Sequence, residues 1–245
     1  MGTIINQYYP LFLKGIGITL LLAIVGTFGG FILSLGLVSA RTNKIDQRRD
    51  SLFSKIMKQT GNWGANIYIT LFRGTPMIVQ AMIFYYGIKM IVVSDWWNPL
   101  SAGLVIVTLN TTAYIAEIIR GSVNAIDKGQ MEAARALGFS RTKTMRLIVY
   151  PQAIRNALPA IGNEFIVNLK DSAVLSVIGV LDLFNATKQV VGATYEVVIP
   201  FLITAILYLF LTGITSLLVH KLEHKQKEDK RDVSYPRSLK HRERI

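Results

Sequence analysis

The sequence predicts an all-α membrane protein of five transmembrane helices, with the N-terminus outside the cell and the C-terminus in the cytoplasm. Three observations lead there. Of 245 residues, 51% are hydrophobic and only 17% charged, with a mean hydropathy of +0.39, far from a soluble domain. Apolar runs near the ~20 residues needed to cross a bilayer occur five times, at about 11–40, 76–93, 100–119, 157–181 and 197–219. Basic charge alternates between them. The connection 41–60 holds Arg41, Lys44, Arg48, Arg49, Lys55 and Lys58, and 120–155 holds seven Lys and Arg. The connection 94–99 has neither, and 182–196 has only Lys188. Such alternation follows the positive-inside rule, and it argues against nucleic acid as the partner of the net charge of +12.

Taken in order, residues 1–10 form a short extracytoplasmic terminus. They carry no basic n-region, and the apolar run that follows is too long for an h-region, so the first span is expected to stay in the membrane. That span carries Gly15, Gly17, Gly26, Gly29, Gly30 and Gly36, small residues that let helices approach closely. At the second span, "LFRGTPMIVQ" places Arg73, Gly74 and Pro76 where the chain leaves the cytoplasm, which predicts a bend. Trp96, Trp97, Asn98 and Pro99 mark an aromatic belt and a turn at the outer interface. In the third span Glu117 and Arg120 stand three apart as a local ion pair, and Asn110, Thr111 and Thr112 lie deeper as cavity lining or interhelical donors.

The loop at about 121–151 contains "MEAARALGFSRTKTMRLIVYP" and predicts two short helices, 128–137 and 141–150, joined at Gly138. Ser140 suits the N-cap of the second, and Pro151 limits its continuation. Glu132, Ala133 and Ala134 offer a small surface ringed by Arg135, Arg141, Lys143 and Arg146, a shape suited to docking; lying on anionic lipid would satisfy the charge equally. In the fourth span Glu164, Asn168 and Asp171 fall at i, i+4 and i+7, on one helix face. A carboxylate facing lipid at mid-depth costs roughly 2.5 to 3.5 kcal/mol, so this face should meet the bundle interior or a watery cavity. Either it is an internal clamp, with Lys170 or a basic residue of another span neutralising Asp171, or it binds a small zwitterion, with Ser172 and Ser176 adding hydrogen bonds. The tail 221–245 carries nine basic and five acidic residues, and all three histidines, His220, His224 and His241, lie in or beside it.

Enzyme chemistry is not visible. There is no cysteine, no phosphate loop, no zinc-protease or serine-hydrolase motif, and no histidine in the bundle to act as a base, so no catalytic or metal-ligating residue is expected.

The loop is similar to the EAA motif of the membrane subunits of bacterial ATP-binding cassette importers: E-A-A, three residues, G, nine residues, I, one residue, L-P. Glu132, Ala133, Ala134, Gly138, Ile148 and Pro151 match it, with Tyr150 in place of leucine. "YIAEIIRGSVNAIDKGQMEAARALG" and "LFRGTPMIVQ" narrow the resemblance to the polar amino acid permeases, over about residues 11–220. The resemblance implies a type I importer permease domain over 11–220, placed in the bacterial cytoplasmic membrane. It implies that Glu132, Ala133, Ala134 and Gly138 dock on a dimer of separate cytoplasmic ATPases, which hold ATP and Mg, so that this chain has no cofactor of its own. It further implies a second permease chain, identical or closely related, and an extracytoplasmic solute-binding protein docking near Trp96 and 185–196. The expected cargo is a polar amino acid, arginine or glutamine favoured by the two carboxylates, with Glu164, Asn168, Asp171 and Ser172 as the substrate site. An ion-coupled amino acid carrier using the buried carboxylates as a proton relay is the main alternative, and a membrane scaffold that only binds is a second. The absence of an inverted-repeat pattern and the EAA spacing disfavour both.

Overall fold

The computed structural model describes residues 2–42, 51–92 and 94–234. Its regular structure is wholly helical, in the order α1 (Gly2–Thr42), α2 (Leu52–Gly74), α3 (Met77–Ile91), α4 (Pro99–Asn124), α5 (Lys128–Ala136), α6 (Arg141–Thr144), a π turn (Met145–Val149), α7 (Tyr150–Asp171), a 3-10 segment (Ser172–Ile178), α8 (Leu183–Thr194) and α9 (Val198–Ser234). Lys44, Arg48 and Arg49 of the first basic connection, and the tail beyond residue 234, lie outside the described residues.

Three helices, α1, α4 and α9, are long and apolar enough to cross a membrane, and α2 with α3 makes a fourth candidate as a pair bent by 111°. α7 has the length, 22 residues, but Arg155, Glu164, Lys170 and Asp171 interrupt its apolar surface.

Much of the connection expected at 41–60 is in fact the start of α2. Ser51 caps that helix, its hydroxyl accepting from the Ser54 amide at 3.3 Å. An amphipathic helix bearing Lys55 and Lys58 escapes a search for apolar runs. The bend predicted at Gly74 and Pro76 is present, and its repair explains Gln80. Proline has no N–H, so the Phe72 carbonyl loses its helical donor four residues on. The buried Gln80 amide supplies it, donating to Phe72 O at 2.9 Å, Thr75 O at 3.0 Å and Thr75 Oγ1 at 2.9 Å, while its Oε1 accepts from Asn110 Nδ2 at 2.9 Å.

α1 is the spine of the bundle, packed most extensively on α4 and also on α7 and α8. Its glycines explain how close these helices come. A Cβ on Gly26 or Gly29 would lie 2.9 Å from Val107 or Thr108 of α4, whereas Gly17 and Gly36 meet open space among the described residues. The tightest approach is at Gly15, where a Cβ would stand 2.8 Å from the Leu183 Cα and 3.1 Å from the Asp182 carbonyl oxygen. Backbone cannot yield as a side-chain tip can. Gly15→Ala is therefore expected to push α8 off α1 and to cost about 1–3 kcal/mol, read as a lower thermal midpoint of the detergent-purified protein; Gly17→Ala is the control and should be neutral.

At the other connections the local chemistry follows the sequence closely. Asn98 caps α4, accepting from the Leu100 and Ser101 amides, and Ser101 accepts from the Asn98 amide to close a capping box before Pro99. Trp97 is buried and donates to the Tyr85 carbonyl at 3.1 Å, and Trp96 stands exposed beside it. Two expectations fail. The helix expected over 141–150 is present but does not stop there: α6 passes through the π turn into α7 without a break, because Pro151 falls in the first turn of α7, where a missing N–H is tolerated. The span expected to reach 181 is α-helical only to Asp171; it tightens into the 3-10 segment and turns at Gly179, whose φ of +89° favours glycine.

Candidate functional site

Three groups of residues carry chemistry: the α5 loop, the polar face of α7, and a carboxylate hub between α1, α2 and α4.

The loop helix α5 begins at Asp127, whose carboxylate accepts from the Gly129 amide at 2.6 Å. It ends in a Schellman turn: Phe139 N–H donates to Ala134 O and Gly138 N–H to Arg135 O, both at 3.0 Å. Gly138 sits at φ +83°, so the glycine of the motif is required by backbone conformation. Ala134 faces inward and is buried, while Glu132 and Ala133 face out. Leu137 is 79% exposed at the tip, next to the exposed Phe139. These two apolar side chains widen the exposed surface of the loop, and sequence reading passed over them because their exposure depends on the turn. Ser140 caps α6 as expected, accepting from Lys143 N at 3.4 Å. Gln152 ties the two arms of the loop, donating to Gln130 Oε1 at 2.7 Å.

On α7 the expected stripe straddles the boundary between core and surface. Asn168 is buried; its Oδ1 accepts from Thr111 of α4 and its Nδ2 donates to Thr27 of α1, each at 3.0 Å. It is thus an interhelical clamp. Ser172 is buried as well, its hydroxyl donating to the Leu169 carbonyl at 3.1 Å. Glu164 is half-buried and Asp171 exposed, on the side of α7 that this chain leaves uncovered, and each is within electrostatic reach of the other, with Arg73 near Glu164 and Lys170 near Asp171.

The expected Glu117–Arg120 pair forms, with Arg120 Nε donating to both carboxylate oxygens at 3.1 and 3.0 Å and Nη2 to Oε2 at 2.7 Å. Two partners from elsewhere join it. Arg41, at the end of α1, donates to Glu117 Oε1, and Arg73 of α2 lies 3.7 Å from Oε2 and 5.4 Å above the Tyr114 ring. No sequence spacing links positions 41, 73 and 117, so this hub could not be read in advance.

A helical membrane bundle closed by long-range polar clamps, with an exposed, glycine-terminated helix projecting from a basic loop, defines a membrane transport component. The chain belongs to the family of binding-protein-dependent transport system inner membrane components, whose sequence profile matches residues 52–228. It is a multi-pass protein of the cell membrane. It is 33% identical over 222 residues to the glutamine transport system permease protein GlnP of Escherichia coli K12, spanning 89% of this chain and 94% of that relative. It is 36% identical over 223 residues to the arginine transport system permease protein ArtQ of Bacillus subtilis 168, spanning 90% and 94%. A crystallised amino acid ABC transporter with histidines superposes with a TM-score of 0.80 at 35% identity, covering 90% of this chain and 96% of that one. The methionine ABC transporter MetNI, at 21% identity and a TM-score of 0.67, shares the fold.

Proposed function

We propose that this chain is the permease subunit of an ATP-binding cassette importer for a polar amino acid, with arginine and glutamine the favoured cargoes. The observation that carries the reading is α5, a helix with Glu132 and Ala133 turned outward, Ala134 turned in and Gly138 closing it, within a family of binding-protein-dependent transport components. Two chains, identical or related, pair in the membrane; each spans it five times, through α1, the bent α2–α3 pair, α4, α7 with its 3-10 extension, and α9. The N-terminus lies outside and the α5 loop in the cytoplasm, as the basic residues of that loop favour. A dimer of separate ATPases binds ATP and Mg and receives α5 in a surface groove, with Leu137 and Phe139 at its edge. An extracytoplasmic binding protein delivers the amino acid to the Trp96 and α8 side. The glutamine and arginine systems of the relatives support the choice of cargo.

Substrate contact falls to Glu164 and Asp171, the two members of the α7 face that are not engaged in clamping helices together. Asn168 and Ser172 hold that face in place from behind. A carboxylate pair suits a guanidinium or an α-ammonium group. The test is uptake of labelled arginine into proteoliposomes holding this chain, its ATPase and its binding protein, with glutamine, histidine and glutamate as competitors. Uptake should require ATP and survive collapse of ion gradients, and Asp171→Asn should lower it at least tenfold while assembly and ATPase activity persist. Undiminished uptake in the variant would move substrate selection to the binding protein, and uptake driven by a gradient without ATP would favour an ion-coupled carrier.

A further inference from the structure

Beside the α5 loop, the end of α1, the middle of α2 and the end of α4 enclose a cavity of about 460 Å³. Its wall includes Arg41, Arg120, Lys128 and Arg141, with the amides of Asn62 and Asn66 between them, and no aspartate or glutamate among the described residues. The nearest carboxylate, Glu117, is already held by Arg41 and Arg120 and approached by Arg73. Four cationic groups therefore line the cavity, and Glu117 meets only two of them, Arg41 and Arg120. Among the described residues, the two other acids nearby do not correct the imbalance. Asp127 turns back onto the Gly129 amide, and Glu132 lines a separate, smaller cavity of about 240 Å³ on the far side of Lys128 and Arg141.

Like charges at this density repel one another, and a tetrahedral oxyanion relieves the repulsion while accepting hydrogen bonds from several directions at once. The volume lies within the range of small-ligand sites, and Met131 and Met145 give it an apolar wall fit for the organic part of an ester. Basic pockets between membrane helices at the cytoplasmic boundary are suited to lipid head groups in particular. We propose that this cavity is a binding site for a phosphate-bearing anion, either a phospholipid head group or a free phosphate ester. The side of the membrane on which it opens rests on the function proposed above; the site itself does not. Because three helices and the α5 loop share its wall, an occupant would brace the base of that loop.

The test uses the permease assembled with its ATPase in two settings. In nanodiscs of phosphatidylcholine alone, radiolabelled glycerol 1-phosphate is titrated, which reads the free ester. In nanodiscs with one-fifth phosphatidylglycerol, the titration is repeated and tightly retained lipid is identified by native mass spectrometry. Saturable glycerol phosphate binding in the first setting, or retained phosphatidylglycerol that blocks it in the second, is expected. Either must weaken at least tenfold in Arg141→Gln, an exposed position, and independently in Asn66→Leu. Absence of binding in both settings overturns the proposal, as does binding indifferent to both variants. Binding to the permease alone that vanishes on assembly would give the cavity to acidic side chains of the ATPase, and binding seen only after Asp46→Asn and Asp50→Asn would give it to the chain's own carboxylates; both outcomes overturn it as well. None of these readouts depends on transport, so the site can fail while the importer reading stands.

Discussion

Glu117→Ala is expected to be the most damaging single substitution in the chain, lowering its stability by about 3 kcal/mol. The side chains of Glu117 and Arg41 are only 15% and 19% exposed, and the carboxylate is the meeting point of α1, α2 and α4. Removing it leaves Arg41, Arg73 and Arg120 facing one another without the carboxylate they share. The loss of one partner from a partly buried network costs more than the network contributes over an apolar core, because the remaining charges stay desolvated. The more exposed Arg73 and Arg120 relax toward solvent, which keeps the figure at the low end for such sites. The measurement is thermal unfolding in detergent across a double-mutant cycle. Glu117→Ala and Arg41→Ala should each destabilise the protein, and the double variant should be less harmful than the sum of the two. Additive losses would mean that the hub does not act as a unit. Since α4 runs directly into the α5 loop, the same variant should also weaken assembly with the ATPase.

Glu132→Lys is expected to have the largest effect on function with the least effect on folding. Glu132 is exposed on α5, so reversing its charge should change stability by no more than about 0.5 kcal/mol. What changes is the surface offered to a partner: a lysine would stand among Lys128, Arg135 and Arg141, which line the same small cavity. Uptake in the reconstituted importer should fall at least tenfold while ATP hydrolysis continues and the permease remains inserted; Glu132→Gln should be milder. Coupled uptake at the normal rate would remove α5 from the transmission of force.

The long apolar helices α1, α4 and α9 were legible because hydropathy needs no knowledge of neighbours. So were the α2–α3 bend, which Gly74 and Pro76 announce, the turn at Asn98 and Pro99, and the cap at Ser140, all of which are local. What escaped depended on distant partners. α2 hid because its hydrophobic face is matched by lysines and asparagines on the other. The stripe of Glu164, Asn168 and Asp171 was correctly placed on one helix, but sequence could not say which member was already occupied. Asn168 is claimed by Thr27, 141 residues away in the chain, and by Thr111. Gln80 looked like an ordinary polar residue in "LFRGTPMIVQ", and its purpose emerges only once the orphaned Phe72 carbonyl is seen. Pro151 misled for a related reason: a proline stops a helix that precedes it and begins one that follows, and only the register of the π turn decides which.

That π turn has a mechanical meaning. From Arg141 to Asp171 the backbone winds without a loop, and Tyr150 N–H reaches back five residues to Met145 O where the turn is widened. A displacement at Arg141, where the turn after α5 meets this winding, would therefore enter α7 as torsion along one shaft. Two places in that shaft are soft, the widened turn and Pro159, where a helical hydrogen bond is missing. Letting the widened turn relax to ordinary helical winding would shift register by one residue, roughly 100° of rotation at 3.6 residues per turn. Glu164 and Asp171 ride on the far end, so a twist of the shaft would sweep both carboxylates around its axis without any helix having to slide.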